Sequence, residues 1–365
     1  MNTTWQKFLQ QQGAMMQDNI VQNFGDPSSE LVATQSGTIL CDLSQFGTLK
    51  ISGAEAQSFL QNLLSSDVNA VHIRHAKLSS LNSPQGRILA SLLIWQSGGD
   101  YFLQLPGSLC AAIQKLLSKY ILRAKVKIED TGDQNFSIPI ISFGLAGEHA
   151  ETLIQQHFSE VPQDKFDAQP FDHGNIIRLD AQRFQINIAA THAIGLWQKL
   201  STKSQSANAQ TAGSPCWDWL QIHAGIPVIL PATQEQFVAQ MVNLELLGGV
   251  SFKKGCYPGQ EIVARMQYLG KLKRRMYLAH IKATDHPIPQ AGDELFSADM
   301  EEQSCGRIVN AAAAPGGGYD VLAVVQISSQ ESQTIHWQSL QGATLQFMPL
   351  PYPFPKPADS SKSNT

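Results

Sequence analysis

The chain has 365 residues, 43% of them hydrophobic and 15% charged, with a formal net charge of −4. That length can bury more than one core and implies two or three domains, while the charge balance excludes a globally basic nucleic-acid coat or a polybasic membrane protein. No apolar run reaches the roughly 18 residues that span a bilayer, and the first residues lack the basic start and apolar core of a signal peptide. The five cysteines, at positions 41, 110, 216, 256 and 305, are odd in number and scattered. They fit a reducing, cytoplasmic setting, with neither a disulfide framework nor an intrachain metal site.

In chain order, Trp5, Phe8 and Leu9 predict a short amphipathic helix, followed by an irregular connection through Pro27. Leu49 and Ile51 flank Lys50 as in a strand, and Ser52 and Glu55 have capping-box spacing before a helix carrying Phe59, Leu60, Leu63 and Leu64. Strands are expected at 77–81, 87–95 and 101–105, then a helix at 109–120 and a strand at 124–128. A second unit follows, with a strand at 138–143, a helix at 148–158, a hairpin of 175–179 with 183–188, and a helix at 193–200. Residues 201–214 are polar and aperiodic, which predicts an exposed loop. Trp217, Trp219, Leu220 and Ile222 then form an apolar stretch that reads either as core or as the lining of a pocket for a flat ligand.

Strand-like runs at 275–281, 294–297, 306–311, 319–327 and 345–348 predict a small C-terminal β-barrel, and the tail reads as disordered. The expected class is α+β. It divides into an N-terminal α+β module (1–130), a second α+β module (131–205), a segment returning to the first core (206–270), the barrel (271–353) and the tail (354–365).

The chemistry concentrates between Gly249 and Glu261. Val250 and Phe252 suggest a strand, Gly255, Pro258 and Gly259 a sharp turn, and residues 260–268 a helix. Cys256 in that turn faces a helix start and has Lys253 and Lys254 close in sequence, surroundings that favour a thiolate. From Lys253 to Arg275 there are seven cations against one acid, Glu261, a basic run on an acidic chain.

The run Lys254, Gly255, Cys256, Tyr257, Pro258, Gly259, Gln260 and Glu261 closely resembles the K-G-C-Y-x-G-Q-E hallmark of the YgfZ family, folate-binding relatives of the glycine cleavage T-protein. Weaker matches around Gly53, Gly86, Ile121 to Val126, Gly225 and Pro351 extend the resemblance over residues 38–353. The resemblance implies three domains around a central opening, ending in a β-barrel. It implies tetrahydrofolate or a related reduced folate as cofactor, with Phe46 and Trp217 at the aromatic positions associated with it. It further implies a role in maintaining iron–sulphur enzymes, including those that modify tRNA, with iron–sulphur assembly proteins or client enzymes as partners and direct tRNA contact left open. Phe46 stands where the best-known members have tryptophan, and His223 where relatives often have glutamate. T-proteins carry an aspartate after a Gly-Gly turn, but Ala90 and Ser91 occupy the matching places and supply no carboxylate. Aminomethyl transfer is therefore the secondary expectation, and an accessory role with Cys256 as reactive thiol the primary one.

Overall fold

A computed structural model describes residues 2–133, 136–202, 208–282 and 287–355. Three large sheets organise them. The first has five antiparallel strands in the spatial order Lys77–Asn82, Ile88–Ser97, Asp100–Pro106, Phe46–Ser52 and Lys127–Asp130. Alternation along these strands sends Leu49, Ile51, Ala90, Leu92, Ile94, Leu103 and Leu105 to one face, where the helices Ala56–Gln61 and Gly107–Ser118 cover them. Glu55 does not complete the expected capping box; its carboxylate instead accepts the Lys125 backbone N–H at 2.7 Å.

The second sheet runs Ala168–Phe171, Gly174–Arg178, Arg183–Ala189, Ile140–Gly147, Thr38–Asp42 and Gln210–Ala212. Its fifth strand comes from the start of the chain, and the helix Thr3–Gln11 packs on the same side through Trp5, Phe8 and Leu9. Trp5 and Phe143 both meet Trp197 edge-on, with ring centroids 5.4 and 5.6 Å away. The connection expected at Pro27 is a helix, Pro27–Ser36. Proline serves there at the first turn, where its missing N–H costs nothing, and Asp26 accepts the Ser29 N–H at 3.0 Å. The polar stretch before Ser214 is not wholly loop, since Gln210–Ala212 pairs in parallel with residues 39–41. Residues 203–207 of that stretch lie outside the described residues.

The third sheet has the order His336–Trp337, Glu294–Phe296, Gly306–Ala313, Tyr319–Gln326, Arg274–Ile281 and Leu345–Met348. It is a curled half-barrel. Its edges approach through backbone bonds from Trp337 N to Ala343 O and from Leu345 N to Ile335 O, both 2.9 Å. Phe354 lies edge-on to Tyr277 of this sheet at 5.5 Å; residues 356–365, most of the expected disordered tail, lie outside the described residues.

The helix Ser214–His223 joins the units. Glu30 accepts the Gly213 N–H at 2.9 Å, and Asp320 on the third sheet accepts Trp219 Nε1 at 2.8 Å and bonds His223 Nε2 at 2.7 Å and His280 Nδ1 at 2.8 Å. Burial pushes the Asp320 carboxyl up, but the bonds to His223, His280 and Trp219 outweigh it and hold the group below its ordinary range. Asn310 clamps the segment beyond the helix, accepting the Val228 N–H at 2.9 Å and donating to the Val228 carbonyl at 2.8 Å. No helix among the described residues is long and apolar enough to cross a membrane.

Candidate functional site

Elements of the first and third sheets and the joining helix converge on a cavity of about 320 Å³. Phe46 and Pro106 come from the first sheet, Asn310 and Ala311 from the third, and Ser214, Asp218, Gln221 and Ile222 from the joining helix. The helix residues recur at intervals of four, three and one, which places them on one face. Val228 and Leu230 add further apolar wall. The lining is thus a largely apolar slot with one carboxylate and a few neutral polar groups, the usual constitution of a site for a small, flat, polar-edged ligand.

Asp218 is the charged group in that slot. Its Oδ1 accepts from Gln45 Nε2 at 3.4 Å, and Gln45 in turn accepts from Ser214 Oγ at 3.2 Å. Burial pushes the Asp218 carboxyl up to about 6, against the weak pull of the Gln45 bond. Sequence reasoning passed over Asp218. The available signal was the polar stripe of Ser214, Asp218 and Gln221 on a helix otherwise rich in tryptophan.

The two aromatic residues expected to hold a ligand are not brought to the same surface. Phe46 is half-buried and lines the cavity. Trp217 is 1% exposed and does not line it. Its ring packs directly against Gly144, so close that a Cβ there would come 2.3 Å from a ring carbon. The Arg183 guanidinium sits 5.8 Å from the ring centroid on the same tryptophan. Ala90 is buried in the first core, and Ser91 Oγ accepts the Ile229 N–H at 3.0 Å, so neither faces the site as an acid or base.

The cysteine motif forms a separate feature that shares no lining residue with the cavity. The helix Gln260–Tyr268 is as expected, but Val250 and Phe252 do not form a strand. Instead the segment is pinned to the first unit by side chains and single backbone bonds. Ser251 N donates to Ser65 O at 2.9 Å, and Ser65 Oγ to Gly249 O at 2.6 Å. Lys254 Nζ donates to the carbonyls of Leu64 and Ser66 at 2.7 and 2.8 Å. Burial lowers the Lys254 ammonium to about 8, with Asp67 opposing. Lys254 is therefore an anchor of the loop, with its charge committed to backbone oxygens. Gly259 (φ +77°) caps the helix, and a Cβ on it would strike Gly86 Cα at 2.4 Å. Tyr257 is buried with its hydroxyl unpartnered, and burial raises it to about 12. Gln260 donates to Lys254 O at a long 3.4 Å, and Glu261 is exposed.

This scaffold leaves Cys256 in solvent while Cys41, Cys110, Cys216 and Cys305 are buried. Burial raises all four of those thiols, Cys110 to about 12 and Cys216 to about 11. Limited alkylation of the native protein is therefore expected to modify Cys256 alone, and peptide mass mapping reads the site. Modification of any buried cysteine at a comparable rate would contradict the arrangement. Of the seven cations in the basic run, Lys254 and Arg275 are committed internally, Arg275 to Glu245 at 2.8 Å. Lys253, Arg265, Lys271, Lys273 and Arg274 remain exposed, and among them Tyr268 and Leu269 are 68% and 84% exposed.

The family model for the GCVT N-terminal domain matches residues 5–254. The tRNA-modifying protein YgfZ of Colwellia psychrerythraea is 30% identical, with 83% of this chain and 93% of that protein covered. The protein of the same description from Escherichia coli is 30% identical, covering 86% and 93%. That of Photobacterium profundum is 32% identical, covering 73% and 75%. The crystal structure of the glycine cleavage system aminomethyltransferase T from Bartonella henselae superposes with a TM-score of 0.75 over 94% of this chain and 96% of its own. At 16% identity that shows a shared fold.

Proposed function

The chain belongs to the YgfZ family of GCVT-domain proteins, and on that premise we propose that it is a cytoplasmic, folate-binding accessory factor for iron–sulphur enzymes that modify tRNA. The observation that carries the folate half is the slot formed by Phe46 and Asp218 where the first and third sheets meet the joining helix. A pterin presents a ring amide N–H and an exocyclic amine along one edge, a pattern that a carboxylate accepts well, and a flat face that a phenyl ring covers. A reduced folate, when bound, supplies a one-carbon carrier. The residues of this chain hold it, with Asp218 and Gln45 on the polar edge, Phe46 on the face, and Ile222 and Leu230 excluding water. The three-domain arrangement around a central opening belongs to the same reading.

Cys256 carries the other half as a transient ligand or nucleophile for cluster delivery. A single thiolate cannot hold a cluster alone, so the remaining ligands come from the partner. The exposed basic residues with Tyr268 and Leu269 beside the motif suit a protein partner with an acidic, partly apolar face.

Calorimetric titration with tetrahydrofolate tests the first half. Asp218→Asn is expected to weaken binding by about 10- to 100-fold, the scale of one hydrogen bond to a charged group. The sign with pH follows from the raised carboxyl. Ionised Asp218 accepts the ligand's N–H groups, so affinity falls as pH drops through about 6. That dependence should vanish in the asparagine variant. A pH-independent affinity that Asp218→Asn leaves unchanged would remove the pterin edge from this slot. The same carboxylate is the observation that keeps a one-carbon transferase in view, because it is a base in the cavity despite Ala90 and Ser91. Turnover of tetrahydrofolate with an amine-bearing carrier separates that reading from the accessory role.

A further inference from the structure

On the other side of the joining helix lies a second cavity, of about 520 Å³, that the proposed function leaves unused. Arg183 forms part of its wall and is itself only 4% exposed. Its Nε donates to Asp180 at 2.6 Å and its NH1 to Gln221 at 2.8 Å, but its NH2 is buried without a hydrogen-bond partner. A guanidinium donor left unpaired away from solvent is costly, and native sites of this kind are completed by an acceptor from outside the chain. Lys165 lines the same cavity and makes no hydrogen bond or ion pair with the described residues; its ammonium lies 5.2 Å from the Phe166 ring. Burial lowers the Lys165 ammonium first, Arg183 lowers it further, and Asp180 opposes them, so the two cations and the carboxylate share one neighbourhood. Asp180 is consumed by Arg183, and Glu148 at the cavity is paired with His149 at 3.2 Å. Gln182, His223, Thr34, Gln35, Ser36 and Tyr352 add further polar groups to the lining.

We propose that this cavity is an anion site for a small oxyanion, a phosphate or carboxylate group held between Lys165 and the unpaired NH2 of Arg183. Two donors on opposed cations, one rigid and planar and one flexible, match the several acceptor oxygens of such a group. Chloride lacks that geometry. The site is distinct from the Asp218 slot, and the Arg183–Gln221 hydrogen bond forms the partition between them, because Gln221 lines the first cavity and Arg183 the second.

The test is calorimetric and thermal-shift titration of the full chain at constant ionic strength in chloride, with inorganic phosphate in one arm and γ-glutamyl-glutamate in the other. Saturable binding of phosphate alone assigns a phosphate source. Saturable binding of the peptide assigns a carboxylate tail. Either is expected to weaken about tenfold or more in Lys165→Gln, which removes the charge of an exposed side chain without touching the Arg183 bonds. Binding should be unchanged in Asp218→Asn, so failure here and failure of the folate slot are read independently. No saturable binding of either probe, or equal binding by Lys165→Gln, overturns the proposal.

Discussion

Trp217→Ala is expected to lower the unfolding free energy by about 3–5 kcal/mol, the range for removing a large buried aromatic. The ring is 1% exposed and belongs to the core cluster that includes Trp219, Ile222, Trp95 and Leu322, and so spans elements of more than one sheet. Its removal leaves a void that cannot simply collapse, because one wall is the backbone of Gly144 in a central strand of the second sheet. The Arg183 guanidinium above the ring loses its support as well, and with it the geometry of the bonds to Asp180 and Gln221. The shift in urea midpoint measures the effect. The position also decides between two roles for this tryptophan. A ring that only lined a ligand slot would cost little stability when truncated and much affinity. The packing here predicts the reverse order, a large loss of stability with any loss of folate affinity following from it. Phe46→Ala, at a half-buried site on the cavity, is the contrasting variant, with the larger relative effect on affinity. A stability loss under about 1 kcal/mol for Trp217→Ala would return the indole to the ligand.

The same pair of residues shows what was legible in the chain and what was not. Apolar runs located the strands Lys77–Asn82, Ile88–Ser97 and Asp100–Pro106 to within a residue or two, because these strands are buried in the first core, and the Pro258-Gly259 turn located the start of the helix Gln260–Tyr268. The helix Pro27–Ser36 was not legible. Its buried residues are Glu30 and Thr34, so the face it turns inward is polar and carries no hydrophobic rhythm. The strand Thr38–Asp42 is buried along its whole length and shows no alternation, and its parallel partner Gln210–Ala212 lies far along the chain. Val250 and Phe252 alternate as a strand would, yet the segment makes no ladder with any sheet of the described residues. The serines around Ser65 hold that segment instead. For the site, residue types pointed to the joining helix but not to its rotation. Trp217, Trp219, Leu220 and Ile222 dominate the helix and mask its narrow polar stripe, and the neighbours Phe46 and Asn310 show that Asp218, one step from Trp217, is the residue facing the cavity. Cys256 was legible from its motif alone. The structure altered the role of Lys254, whose charge serves the loop backbone.

Cys256→Ser is expected to abolish support of iron–sulphur-dependent tRNA modification in cells while leaving the melting temperature of the purified protein unchanged. The thiol is exposed and contributes no packing, and substitutions at such surface positions fall within about 0.5 kcal/mol of neutral. Serine keeps the size and hydrogen-bonding capacity but is not a soft ligand, and its hydroxyl is not ionised near neutral pH, so ligation and nucleophilic attack are both lost. Lys254→Met separates chemistry from placement. It removes the bonds to Leu64 and Ser66 that hold the loop and should lower stability and function together, whereas the serine variant should lower function alone. The measurement is the level of a cluster-dependent tRNA modification in cells lacking this protein and complemented with each variant, alongside thermal unfolding and tetrahydrofolate titration of the purified chains. Folate binding should survive in Cys256→Ser, because the motif shares no lining residue with the Phe46 and Asp218 cavity. Full complementation by Cys256→Ser at equal protein levels would mean that the motif acts through its fold, with Tyr257 and Gly259 packed against the first unit, and that its thiol has no chemical role.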